Sequence, residues 1–310
     1  MQQNFLRGDP LSLDRIRSTL IRLEDTIIFG LIERAQFAHN PKIYEAGGVP
    51  ELKERVGFEG SWLDWFLAEI EGFHAKARRY TSPDEYPFTP IESLPQPLLA
   101  PLSYPKLLHP NTVNVNPSLK SLYIRSIVPR ITSSATRALA ALRRAQGITG
   151  DPEREDDGNY GSSATLDVEI LQALSKRVHY GKFVSESKFR ANPGAFVSLI
   201  RKEDREGLVG LIEKKEVERR LLLRVRNKAR VYGQEVDADG NPVGPVSPVN
   251  GNVATPNGNG EGKIDVEGVV ELYEHYIIPL TKEVEVDYLL QRLDGLSEEE
   301  VEELCKSKKQ

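Results

Sequence analysis

Apolar side chains recur along this chain in alternating steps of three and four, the period of a helix with one buried face. The clearest run is Leu13, Ile16, Leu20, Leu23, Ile27 and Leu31. Ser12 precedes it as a candidate N-cap, and Asp14 falls in the first turn, so the spacing predicts an amphipathic helix over 12–37. A second helix, over 61–80, ends ahead of Ser82-Pro83, because a residue before proline avoids helical backbone. Residues 83–117 are rich in proline and read as an extended connection over the surface. Helix resumes near Pro117-Ser118 and runs through LKSLYIRSIVPRI, although SLYIRSIV has strand propensity of its own. Further helices are expected over 163–190, 193–202, 204–231 and from 265 onward, with Pro279 kinking or dividing the last.

Between these runs, the stretch GITGDPEREDDGNYGS predicts a mobile loop over 147–160. Residues 233–262 hold almost no large apolar side chains and predict a disordered insertion. The charged tail, 295–310, is expected to fray. The fold class is therefore all-α, a multi-helix bundle in a single domain over 1–310.

Composition narrows the function. Hydrophobic residues make up 39% and charged residues 28% of the 310, an ordinary globular balance. A formal net charge of −5 offers no general attraction to nucleic acid or an anionic membrane, so an anionic ligand needs a local cluster of Arg and Lys. The single cysteine, Cys305, can form neither an intrachain disulfide nor a thiolate zinc site. Neither a signal-peptide pattern nor a membrane-length apolar run appears, and the chain reads as cytoplasmic. There is no HExxH, CxxC, Walker A loop or strand–GxGxxG–helix unit. Asp237-Ala238-Asp239-Gly240 has its glycine too early for a calcium loop and reads as a turn.

The informative residues are charges on apolar faces. Arg15 and Arg22 oppose the stripe of the first helix, whereas Arg17 and Glu24 fall within it, one heptad apart. A buried charge needs a partner, so each is expected either in a structural Arg–Glu bridge, the better reading from this helix alone, or against a ligand. Arg177 and Lys188 lie eleven residues apart, three helical turns, with Tyr180, Gly181 and Val184 between them. Their Cα atoms are then roughly 16 Å apart, a gap two long side chains can converge across, and Gly181 leaves room for something to approach. The alternative is a pair of charges snorkelling at the stripe's edge. Thr281 and Glu285 interrupt the apolar face of Ile278 and Leu289. Glu218 sits in EKKEVERR, so charged that a solvated face is the better reading of those residues alone.

The runs RIRSTLIRLEDTIIFGLIERAQFA, SWLDW, HAKARRYTSPDEYPF, NYGSSATLDVEILQALSKRVHYGKFVSESKF and IIPLTKEVEVDYLLQRL resemble the all-helical chorismate mutases of fungi and plants. The likeness extends over 12–293, with 233–262 as an insertion. It implies a homodimer of helical protomers, each with its own active site, acting on chorismate without a cofactor. It further implies that Arg17, Arg177 and Lys188 hold the substrate's carboxylates and ether oxygen, and that Glu218 binds its hydroxyl. Thr281 corresponds to a threonine near one carboxylate, and Glu285 to a glutamate at the ether oxygen. Lys214 stands where the family has a substrate-contacting asparagine.

In the family, tryptophan activates and tyrosine inhibits from a site on the dimer interface. The matching positions are Arg78, Arg79, Asn159, Gly161, Ser162 and Thr165. Arg78 and Arg79 also suit the C-terminus of a helix, where cations are favoured, and the two roles are compatible. The rival reading is a non-catalytic helical protein that kept the fold as an amino-acid sensor or scaffold.

Overall fold

The computed structural model describes residues 5, 8–148, 155–236, 238–239, 242–243 and 263–306. Among them the chain forms α1 (Leu13–Arg34), α2 (Trp62–Lys76), α3 (Asn116–Leu122), α4 (Val128–Ile131) and α5 (Ser133–Ala145). Next come α6 (Tyr160–His179), α7 (Gly181–Ala191), α8 (Pro193–Arg201), α9 (Arg205–Ile212) and α10 (Lys215–Tyr232). The last three are α11 (Val266–Leu272), α12 (Ile278–Leu290) and α13 (Glu298–Lys306).

The helix starts follow local chemistry. Ser61 accepts a bond from the Asp64 amide at 3.1 Å while Asp64 receives the Ser61 amide, a capping box that begins α2. Asp204 and Asp265 cap α9 and α11 by accepting from Gly207 and Gly268. Ser12 occupies the N-cap of α1, but its side chain makes no capping bond. The stretch SLYIRSIV is helical, and its strand propensity is overridden by the burial of Tyr123, Ile127 and Val128 in the core.

Proline shapes two helices in the same way. A π-helical turn, Tyr123–Ile127, leads into Val128-Pro129, and another, Tyr273–Ile277, leads into Ile278-Pro279. Proline has no N–H for the carbonyl four residues back and its ring crowds that carbonyl; the wider turn takes up both defects. The expected disturbance at Pro279 therefore takes the form of a bulge and not a break.

Two expected helices are divided. The 163–190 helix is α6 and α7, interrupted at Tyr180, and the 204–231 helix is α9 and α10, turned at Glu213 and Lys214. The second corner lets the apolar faces of both segments pack: Leu208 and Ile212 join a cluster with α8 and α12, while Val225 and Ala229 join the main core. Of the tail expected to fray, Glu298–Lys306 form α13, because Val301 buries against the α8–α9–α12 cluster; residues 307–310 lie outside the described residues. Within 233–262, Glu235–Val236 pairs antiparallel with Pro242–Val243, a two-residue ladder in an otherwise helical fold; residues 237, 240–241 and 244–262 lie outside the described residues. Of the loop expected to move, 149–154 lie outside them. Asp157 is tied down, accepting from the Ala38 amide at 2.8 Å and Asn40 Nδ2 at 2.9 Å.

The main core joins α1, α2, α3 and α6 to α11. The α7 and α12 helices pack along each other, and α10 crosses α1 and α11. This leaves a space between α1, the α6–α7 junction, α10 and α12. No described helix is long and apolar enough to cross a membrane.

Candidate active site

A cavity of about 180 Å³ occupies that space. The α1 helix contributes Leu13, Ile16, Arg17 and Leu20, and the α6–α7 segment Arg177, Gly181, Val184 and Lys188. The α9–α10 corner and α10 add Ile212, Lys214, Val217 and Glu218, and α12 adds Thr281, Lys282 and Glu285. All six residues that the resemblance places around the substrate therefore line one cavity, formed by segments up to 268 residues apart (285 − 17).

The break at Tyr180 does not separate Arg177 from Lys188, which both face the cavity. Gly181 explains the junction. A Cβ there would lie 2.9 Å from Glu285 Cγ and 3.0 Å from the Thr281 carbonyl oxygen. What approaches the helix at this glycine is α12, so a bare backbone brings Thr281 and Glu285 against α7.

Arg177 is 4% exposed. Its side chain reaches Thr281 Oγ1 at a long 3.5 Å, and its Nε has no partner. Burial lowers its proton affinity, offset in part by Tyr273, Glu24 and Glu285. Lys188 donates to the Ile212 carbonyl, at the C-terminus of α9, where a cation is favoured. Burial lowers the Lys188 pKa; Glu285 and Glu218 oppose that shift and Lys214 adds to it. Glu285 is 8% exposed, and burial pushes its carboxyl up to about 7 against the pull of Lys188 and Arg177.

Two residues depart from expectation. Arg17 is exposed at the mouth of the cavity, paired with Asp14 at 2.9 Å, and not buried in the stripe of α1. The stripe turns at this end of α1, where Leu13 is 40% exposed and Ile16 and Thr19 take the inward positions. Glu218 is only half exposed and pairs with Lys282 at 3.0 Å. Glu24 is fully buried, as expected, but its bridge is not to Arg17: Arg224 binds it through two bonds of 2.6 and 2.7 Å and Lys228 lies at 3.2 Å. Periodicity missed Lys282 and the corner at Glu213–Lys214, because both sit in runs charged enough to read as solvent-facing.

The effector candidates are placed differently. Arg78 adopts left-handed backbone (φ +58°) just past α2, its amide closing the helix onto Ala75 and its guanidinium on the Ala100 carbonyl at 2.9 Å. Arg79 binds Glu85 at 3.0 Å and Gln172 at 2.8 Å. Asn159, Gly161, Ser162 and Thr165 are exposed around the first turn of α6, where Thr165 Oγ1 donates to the Gly161 carbonyl. Among the described residues no hydrogen bond or ion pair within one chain joins the two arginines to this turn.

A larger groove, about 390 Å³, lies between residues 112–118 and α12, but its charged lining is Glu283 and Asp287, with no cation to hold an anion. Among the described residues no group of three or more His, Cys, Asp or Glu is placed to hold a metal ion.

Comparisons with known proteins point to one family. A family model for chorismate mutase type II matches residues 159–286. The chain is 42% identical over 285 residues to chloroplastic chorismate mutase 1 of Petunia hybrida, covering 91% of this chain and 76% of that one. Among solved structures, Aro7p chorismate mutase from Candida albicans in complex with L-Trp superposes with a TM-score of 0.76 at 36% identity, covering 97% of this chain and 99% of the other. AtCM1 structures with phenylalanine and with tyrosine bound in an allosteric site superpose at 0.71 and 40% identity, covering 93% and 99%. With 44% identity over 286 residues, 92% of this chain and 94% of the chorismate mutase of Emericella nidulans, the chain belongs to the chorismate mutase family.

Proposed function

We propose that the chain is an active isomerase that rearranges chorismate to prephenate within its own helical bundle. Supporting this most directly is Arg177, a buried guanidinium with an unpartnered Nε facing a cavity that also holds Lys188 and Glu285. Chorismate is a dianion in which a C–O bond breaks as a C–C bond forms within one molecule. The protein's tasks are to hold the enolpyruvyl arm over the ring and to supply donors where negative charge develops.

In this reading Arg17 and Arg177 clamp the carboxylates, with Thr281 beside one of them. Lys188, steadied by the Ile212 carbonyl, donates to the ether oxygen, and Glu218 accepts from the hydroxyl. Glu285 donates to the ether oxygen from its other side, which only the protonated carboxyl can do. Its pKa of about 7 keeps that form populated in acid and neutral solution. The rearrangement then slows as pH rises through 7.

The test is purified protein with chorismate alone, following loss of chorismate and formation of prephenate. Turnover that Arg177→Ala lowers by on the order of 10²-fold or more, with circular dichroism unchanged, supports the reading. A wild-type protein without turnover, even with tryptophan added, leaves the amino-acid-sensing scaffold instead.

Regulation belongs to the same proposal. Arg78 and Arg79 bind the carboxylate of an effector amino acid, and Asn159, Gly161, Ser162 and Thr165 bind its remaining polar groups. In one chain Arg79 reaches Gln172, about 10 Å along α6 from Thr165, and in this reading a second copy completes the site in a homodimer, as the resemblance implies. Tryptophan activates and tyrosine inhibits. Equilibrium binding of both, with sedimentation to fix the oligomer, tests this; no binding at millimolar concentration removes it. The cytoplasm is the proposed location, and the distribution of a tagged chain checks it.

A further inference from the structure

The start of α1 is held by packing and not by capping. Ser12 makes no side-chain capping bond, and Leu13 in the first turn is exposed. The chain enters through a turn instead, in which Asp9 Oδ1 accepts from the Leu11 amide at 3.0 Å and the Ser12 amide donates to the Asp9 carbonyl at 3.3 Å. Leu11, just before the cap, and Ile16, the fourth helical residue, are buried in one cluster. That is the arrangement of a hydrophobic staple, which fixes the angle at which a chain enters a helix.

Phe5 completes that cluster. It is 2% exposed, lies nearly parallel to the Phe183 ring with centroids 5.7 Å apart, and meets Tyr104 edge-on at 6.0 Å. Phe183 stacks in turn on Tyr180 at 4.9 Å, at the break between α6 and α7. Ile16, Leu20 and Val184 belong to this cluster and also line the active-site cavity, so Phe5 backs the wall that α1 and α7 share. Arg17 follows Ile16 directly and reaches the cavity mouth from the same turn. Its pair with Asp14 is exposed and lies within α1, so it cannot fix the guanidinium relative to α7. Where Arg17 stands with respect to Arg177 and Lys188 depends on how α1 is docked.

We infer that Phe5 is a positioning residue for Arg17: wedged between Phe183 and Tyr104, it docks the first turns of α1 on α7 and sets the guanidinium where a carboxylate of the dianionic substrate meets it. The inference rests on the chorismate reading above and deepens it. Phe5 does not itself line the cavity, so it acts only through α1. Removing its ring leaves a hole behind Ile16 and Val184, and a shift of about 1 Å in a binding group can cost on the order of 10²-fold. Both carboxylates persist from substrate to transition state, so the loss falls on KM more than on kcat.

The experiment is a double-mutant cycle in kcat/KM for chorismate, with Phe5→Ala and Arg17→Ala made singly and together, at a temperature where circular dichroism shows every variant folded. In the wild-type background Phe5→Ala is expected to lower kcat/KM roughly five- to twentyfold, mostly through KM. In the Arg17→Ala background the same change is expected to cost less than about twofold, because the group it positions is already gone. Phe5→Leu, which refills much of the space, restores most of the wild-type KM. If Phe5→Ala does not fold, Phe5→Val takes its place in the cycle under the same criteria. Equal losses in both backgrounds, or an unchanged KM in the first, overturn the inference, since a general loosening of the fold acts whether or not Arg17 is present. In that event turnover by wild type leaves the chorismate reading standing. A wild type without turnover removes both.

Discussion

Two arginines packed against the α6 bundle show how differently a fold uses the same side chain. Arg34, at the end of α1, is fully buried and its donors are taken up. Its Nε binds Asp167 at 2.9 Å, and its two other nitrogens reach the Ala38 and His39 carbonyls and Tyr44 at 3.0 Å. Asp167 is completed in turn by the Tyr44 and Tyr123 hydroxyls, both at 2.7 Å. Arg177 is buried almost as deeply, yet it has one long contact and an unpartnered Nε. Burial is common to both; satisfaction is not. A buried charge whose partners are all internal serves the fold, whereas one left incomplete beside a cavity is available to a ligand.

The sharpest way to break that comparison is to remove each arginine in turn. Arg34→Met leaves Asp167 buried without its cation and is expected to cost about 3–5 kcal/mol of stability in denaturant melts. Arg177→Ala is expected to lower kcat/KM by on the order of 10²- to 10³-fold with little loss of Tm. If Arg177→Ala melts further below wild type than Arg34→Met does, the distinction fails.

Glu285→Gln comes next. Its folded-state pKa, about 7, is raised above the usual 4.5, so this carboxyl erodes stability as pH climbs from 4.5 through 7. The amide removes that loss, and a gain of about 1–3 kcal/mol over wild type is expected above pH 7, absent near pH 4. In kinetics, wild type should lose roughly fivefold in kcat between pH 7 and 8 if the acid form is required, while the variant's profile stays flat. An alkaline fall retained in Glu285→Gln means the proton sits elsewhere.

Gly181→Ala probes the wall between them. The added methyl meets Glu285 and the Thr281 carbonyl, and about 1–3 kcal/mol of destabilisation with a parallel loss of kcat is expected. An active, stable variant would show that α12 can move away. The smallest effect belongs to Thr281→Val. Its hydroxyl donates to the Ile277 carbonyl at 2.6 Å and is the contact nearest Arg177, so about 0.5–1.5 kcal/mol in kcat/KM is expected, with near-normal stability.

Much of the site is legible before folding is considered. Arg177, Lys188, Thr281 and Glu285 are found by periodicity, because each interrupts a face that packing makes apolar. Arg34 carries the same signal, following Ile27 and Leu31 at steps of four and three, yet an arginine in the last turn also reads as an ordinary helix-end cation. Arg17 misleads in the other direction: its position on the stripe is correct, but the stripe twists out to solvent at the first turns of α1. The corner at Glu213–Lys214 has no proline or glycine to mark it, and both of its residues are good helix formers.

Helix type, helix order and the residues that break each apolar face are properties of the chain itself, since they rest on spacing and local capping. Partnership is not, because a charge's partners come from segments remote in sequence. Only the assembled bundle sets Asp167 against Arg34, closes α12 onto Gly181 so that Glu285 is pushed up to about 7, and turns the α9 carbonyl of Ile212 toward Lys188. Desolvation and hydrogen bonding act over a few ångströms in space, and it is folding that brings those few ångströms together.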